Sequence, residues 1–155
     1  MDTTTHRLPL EPADLLAREG SLEPSAPPAR SGSAARSLGP LGEDLAARHL
    51  TVDDRLEVVA RNWRLSSGEL RGELDLVAVD HTRGCVVVCE VKTRRDADRF
   101  GGALAAVSPR KRAKIRALTA AFLREASLPY CRVRLDVVAV DLGRRPLLHH
   151  VLAAL

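Results

Sequence analysis

The chain has 155 residues, 45% hydrophobic and 28% charged, which suits one domain with a buried core. Its 24 Lys and Arg against 20 Asp and Glu leave a net charge of +4, so any strong basic surface has to be local. No apolar run approaches the roughly 18 residues of a bilayer span, and the N-terminus lacks the basic and apolar regions of a secretion signal; neither a membrane helix nor export is expected.

Residues 1–36 hold five of the nine prolines and none of the aromatic residues. Such a segment can hardly offset its own ordering entropy, which predicts a disordered N-terminal extension with at most a short helix at ADLLARE. Residues 37–155 are expected to form one domain. LGPLGEDLAARHL (38–50) spaces Leu38, Leu41, Leu45 and His49 at helical intervals. RLEVVARNWR (55–64) reads as a strand, SSG (66–68) as a turn, and ELRGELDLVAVD (69–80) as the next strand. A four-residue loop, HTRG, leads into the strand CVVVCEVKT (85–93). Ser108-Pro109 is a cap with proline at the first helical position, and the helix that follows runs to about Ala126 with Ile115, Leu118 and Phe122 on one face. CRVRLDVVAVDL (131–142) and PLLHHVL (146–152) read as closing strands. The order αβββαββ predicts an α/β fold with a mixed sheet of about five strands, three in a meander and one reached by a helical crossover.

The three cysteines are odd in number and lack zinc-site spacing, so Cys85 and Cys89 are expected to be buried reduced thiols in a cytoplasmic protein. Positive charge concentrates in residues 92–116, where nine bases face two acids. That is the footprint of a polyanion partner.

The strand GCVVVCEVKTRR raises a question, because it ends on Glu90 and Lys92, two charges on one face. With a four-residue turn at 81–84, opposed residues pair Val79 with Val86, Asp75 with Glu90 and Glu73 with Lys92. Asp75 and Glu90 would then lie with Cβ atoms about 4.5–5.5 Å apart. Two such carboxylates repel unless Lys92 or a metal lies between them. Mg²⁺ (or Mn²⁺) takes hard oxygen ligands, keeps several waters and needs only one or two carboxylates. Acid, acid and lysine on adjacent strands make a compact site for phosphodiester hydrolysis, with a buried ion pair as the bland alternative. If Lys92 pointed away from both acids, the hydrolytic reading would fail. In SPRKRAKIRAL, Arg110, Lys111, Arg112 and Lys114 crowd a helix N-terminus, where cations oppose the macrodipole. Together with Arg94 and Arg95 they are expected to hold a nucleic-acid backbone. His149 and His150 are adjacent on a strand, point to opposite faces and have no third ligand at suitable spacing, so they are read as structural. Trp63 is left without a role, and Asp136 is read as structural, bonded to Arg134 or nearby backbone.

The D-x14-E-x-K spacing resembles the PD-(D/E)xK motif of restriction-endonuclease-like nucleases. LGEDLAARHL, RNWR, GELDLVA, CEVKTRR and VRLDVVAV also occur in the order found in the YraN family of small bacterial proteins, which resembles the archaeal Holliday-junction resolvases. The likeness covers roughly residues 38–155, with Leu74 where Ile is usual, Cys89 where Val is usual and a weakened C-terminal ending. It implies a restriction-endonuclease-like core, DNA as substrate, a divalent cation and a symmetric dimer. It also implies a role for Glu43 of GED, matching an acid on the first helix that reaches the metal. The expected set is therefore Glu43, Asp75 and Glu90 on the metal, Lys92 assisting the attacking water, and a basic surface for branched or repair DNA. A nucleic-acid-binding accessory protein without cleavage, and a purely structural role, are the competing expectations.

Overall fold

In a computed structural model that describes residues 4–11, 38–65, 70–95, 108–129 and 132–154, strands and helices follow the predicted order with one addition. The elements are β1 (Thr5–Pro9), α1 (Leu38–Val52), β2 (Glu57–Leu65), β3 (Gly72–Asp80), β4 (Cys85–Arg94), α2 (Pro109–Ala126), β5 (Arg132–Asp141) and β6 (Leu147–Val151). The sheet is mixed and six-stranded, in the order β1-β6-β5-β4-β3-β2. β2, β3 and β4 form the meander, α2 makes the crossover to β5, and β4–β5 is the parallel pair.

The sixth strand corrects the expectation of a disordered extension over 1–36. Thr5–Pro9 pairs antiparallel with β6, Thr5 opposite Val151 and Pro9 opposite Leu147. The free edge of β6 supplies the hydrogen bonds, and Leu8 and Leu10 pack against the core. The ADLLARE segment, Cys131 and most of the rest of the predicted extension lie outside the described residues.

Among the described residues each face of the sheet carries one helix. Leu45, Ala46 and Leu50 of α1 pack against Leu76, Ala78, Val87, Cys89, Val138 and Val140. Ile115, Leu118 and Phe122 of α2 pack against Val77, Val86, Val88 and Leu135. Covered on both faces, β4 is buried continuously from Cys85 to Cys89, which is why its sequence is an unbroken apolar run. Helix α2 starts as predicted: Ser108 accepts from the Lys111 N–H through its hydroxyl, and Pro109 follows it. It ends at Ser127 in the left-handed conformation. Among the described residues no helix is long and apolar enough to cross a membrane. Cys85 and Cys89 are buried and free, as expected, and burial pushes both thiols up.

Candidate functional site

The ladder between β3 and β4 runs from Asp80 opposite Cys85 to Leu76 opposite Cys89, the predicted register. It stops one pair short of Asp75 and Glu90. There the alternation of β3 breaks: Leu74 packs in the α2-side cluster and Leu76 in the α1-side cluster, although the two are separated by one residue. Asp75 sits at the reversal, and its Oδ2 accepts from the Val91 N–H at 2.8 Å. A side-chain carboxylate thus replaces the backbone carbonyl that a continuing ladder would offer to β4. The two acids are neighbours, but Asp75 is turned toward the backbone of β4 instead of standing parallel to Glu90.

Glu90 lies where β4 emerges from the core, on the α2 side with Val86 and Val88. Lys92 donates from Nζ to Glu90 Oε1 at 2.5 Å, so it points toward the acids and not away. A second lysine, Lys111 in the first turn of α2, donates to the same oxygen. Lys111, expected on the nucleic-acid surface, reaches inward to Glu90 on its long stem instead. Burial alone would push Glu90 up, but Lys111 and Lys92 outweigh it and hold the carboxyl below its ordinary range. Burial likewise pulls Lys111 down, and Glu90 more than restores it. Among the described residues Asp75 has no such partner. Burial first, then the Glu90 charge and more weakly the Glu43 charge, push it up to about 6 against the Val91 hydrogen bond and Lys92.

Glu43 reaches this end of the sheet through a glycine. A Cβ on Gly42 would lie 1.8 Å from Thr93 Oγ1, so only glycine lets α1 lie this close to β4. Glu43, the next residue, accepts at Oε2 from Asn62 Nδ2 at 2.9 Å. Asn62 holds a left-handed φ of 50° that reverses the faces of β2: Arg61 pairs with Asp44 on α1, whereas the Trp63 ring packs edge-on against Phe122 of α2, centroids 5.4 Å apart. Trp63 is therefore a half-buried residue packed against the α2-side core. Glu73 does not face Lys92; it pairs with Arg64 across the β2–β3 ladder at 3.0 Å. Of the predicted surface bases, Arg94, Arg95, Arg110 and Lys114 are exposed and Arg112 is half-buried. Arg99 lies outside the described residues.

A second cluster was not found by sequence reasoning. His150 is completely buried and His49 is 3% exposed. His49 Nε2 lies 3.1 Å from His150 Nδ1, and Asp54 Oδ2 is 2.9 Å from His150 Nδ1 and 3.4 Å from His49 Nε2. Among the described residues, this is the group that brings three possible metal-ligand atoms within 4.8 Å of one another; the acids at Asp75 are not drawn together to that degree. The His49–Asp54–His150 group could hold a metal ion. His149 faces the other way and accepts from Arg7 Nε at 3.3 Å, so the expectation that the two histidines diverge is met. The third ligand is on α1, 101 residues away, where no local spacing reveals it. Asp136 is structural, as expected: it accepts from Arg134, from the Ala153 N–H and from His150.

Residues 42–140 match the family described as "Uncharacterised protein family UPF0102". A UPF0102 protein of Mycolicibacterium smegmatis is 44% identical over 104 residues, covering 67% of this chain and 79% of that protein. One from Kineococcus radiotolerans is 48% identical over 105 residues (67% and 80%), and one from Mycolicibacterium gilvum is 45% identical over 113 residues (72% and 87%). The family match spans Glu43, His49, Asp54, Asp75, Glu90, Lys92 and Lys111; His150 and β1 fall outside it.

Proposed function

This chain belongs to the UPF0102, or YraN, family, and from that premise and the meeting of Asp75, Glu90 and Lys92 we propose that it is a divalent-cation-dependent nuclease hydrolysing DNA phosphodiester bonds. Asp75 carries this reading. A largely buried carboxylate sits in the field of two other acids, Glu90 and Glu43, and among the described residues has no ion-pair partner, at an energetic cost a purely structural site has no reason to keep.

The donor set suits Mg²⁺ or Mn²⁺. Among the described residues, Asp75 Oδ1, Glu90 Oε2 and Glu43 Oε1 take no hydrogen bond, so each acid keeps one hard oxygen to offer. Asp75, Glu90 and Glu43 would hold the ion. A bound cation supplies a more acidic water and neutralises charge on the phosphate. The protein supplies the rest. The Val91 N–H fixes the Asp75 carboxylate, and Lys92 places a positive charge within 2.5 Å of Glu90, where it can orient the attacking water and stabilise charge building on phosphorus. Arg94, Arg95, Arg110, Arg112 and Lys114 would hold the DNA backbone. Phosphate contacts position without reading sequence, so selectivity for branched or repair structures fits better than sequence specificity. Two buried unpaired cysteines support a reducing cytoplasm as its location.

One observation favours the accessory-protein reading: Glu90 already has two lysines, so its charge is balanced without a metal. Incubating the protein with junction, flap and linear DNA, with and without Mg²⁺ or Mn²⁺, separates the two. The nuclease reading expects metal-dependent cleavage that Asp75→Asn and Lys92→Ala abolish. Salt-sensitive binding with no cleavage under any metal overturns it.

A further inference from the structure

We propose that His49, Asp54 and His150 form a zinc site that fastens the end of α1 and its following turn to β6. The three ligand atoms lie 2.9, 3.1 and 3.4 Å apart. Zinc holds imidazole nitrogen at about 2.0–2.1 Å in a tetrahedron, whose ligand-to-ligand edge is then about 3.3 Å. The apices of one tetrahedral face are thus present before any rearrangement.

The outward-facing atoms strengthen the assignment. His49 Nδ1 lies 2.8 Å from Asp53 Oδ2, and His150 Nε2 lies 3.0 Å from Asp136 Oδ2. A carboxylate accepts, so each of these ring nitrogens carries the proton. Carboxylate–imidazole pairs of this kind fix the tautomer that leaves the other nitrogen free for a metal. His49 Nε2 and His150 Nδ1 then face one another at 3.1 Å. Asp54 Oδ2 brings a third acceptor, buried and 2.9 Å from His150 Nδ1, and among the described residues it receives no well-aligned hydrogen bond. One proton can serve two of these three atoms. A cation serves all three.

Two nitrogens and one carboxylate oxygen favour zinc over Mg²⁺, which prefers an all-oxygen shell. His6 of β1 sits opposite His150 in the strand pairing, ring centroids 6.3 Å apart, and it or a water would take the fourth position. The site would tie together α1, the turn at Asp54 and β6, and with His6 also the N-terminal strand. It is separate from the acids of the proposed active site, since β6 is two strands from β4 and three from β3. The proposal therefore stands whether or not the chain cleaves DNA.

The test uses the full chain, stripped with a chelator and titrated with Zn²⁺ against a chromophoric competitor, with bound metal counted by mass spectrometry. One zinc per chain is expected, with a rise in the urea midpoint on binding and a tetrahedral visible spectrum when Co²⁺ replaces Zn²⁺. Asp75→Asn should bind zinc like wild type, and His49→Gln and His150→Gln should lose the uptake and the Co²⁺ spectrum. Asp53→Asn alters only an exposed carboxylate on the outer nitrogen, so it keeps the test valid if a histidine variant fails to fold; about 10–100-fold weaker zinc binding is expected there. Absence of zinc uptake by the wild-type chain at micromolar metal would mean that a proton fills the group, and would overturn the proposal. So would unchanged affinity in both Asp53→Asn and His150→Gln.

Discussion

Replacing Asp75 with Asn should make the metal-free protein more stable. Asp75 is pushed up to about 6 from an ordinary 3.8 by burial and by the charges of Glu90 and Glu43. Across that gap, at about 1.36 kcal/mol per pH unit, ionised Asp75 costs the folded state up to about 3 kcal/mol. The sign follows from proton binding. Between pH 3.8 and 6 the folded chain holds a proton that the unfolded chain has lost, so stability falls as pH rises through this window and levels off above it. Asn keeps a side-chain oxygen to accept from the Val91 N–H and carries no charge. Urea unfolding of both proteins in EDTA from pH 4 to 8 should show Asp75→Asn ahead by about 1–3 kcal/mol at pH 7.5, or roughly 2–12 °C in Tm, with the two converging near pH 4. Saturating Mg²⁺ should then stabilise the wild type and leave the variant where it was. An Asp75→Asn protein less stable than wild type at pH 7.5, or a difference that does not vary with pH, would show that the Asp75 charge is not a burden on the fold.

Three further outcomes follow from the same geometry. Gly42→Ala places a Cβ against Thr93 and should cost about 1–3 kcal/mol in chemical denaturation, with Thr93→Gly in the same chain restoring part of it. Lys111→Ala removes one of the two cations on Glu90, so Mg²⁺ should bind several-fold more tightly by calorimetry; weaker binding would show that Lys111 supports the site instead of competing for it. Removing the exposed Arg94 and Arg110 together should reduce the slope of log affinity for DNA against log salt by about 2, equally for every sequence tested.

What could be read from the sequence was whatever local geometry fixes. A four-residue turn sets the β3–β4 register, so Val79 opposite Val86 was available from counting alone. Strand alternation placed Val86 and Val88 on one face of β4 and Val87 and Cys89 on the other, and the helix cap at Ser108 was visible in its dipeptide. Local rules fail where a side chain does the work of backbone. Asp75 accepts from Val91 in place of a ladder carbonyl, and the positive φ of Asn62 reverses β2; neither is written in the alternation of apolar residues. Lys111 looked like a surface base because periodicity gives a direction for a side chain and not its reach. β1 escaped because five residues gain strand character only from a partner at the far end of the chain, and the His49–His150 pair because no motif spans that separation.

On the proposed reading Asp75 and Glu90 hold a divalent cation. The most direct measurement is anomalous scattering from crystals of the wild-type chain soaked in Mn²⁺. A peak is expected between the Asp75 and Glu90 carboxylates, missing in Asp75→Asn crystals treated in the same way. Density without a peak there, with Lys92 and Lys111 still both on Glu90, would contradict it.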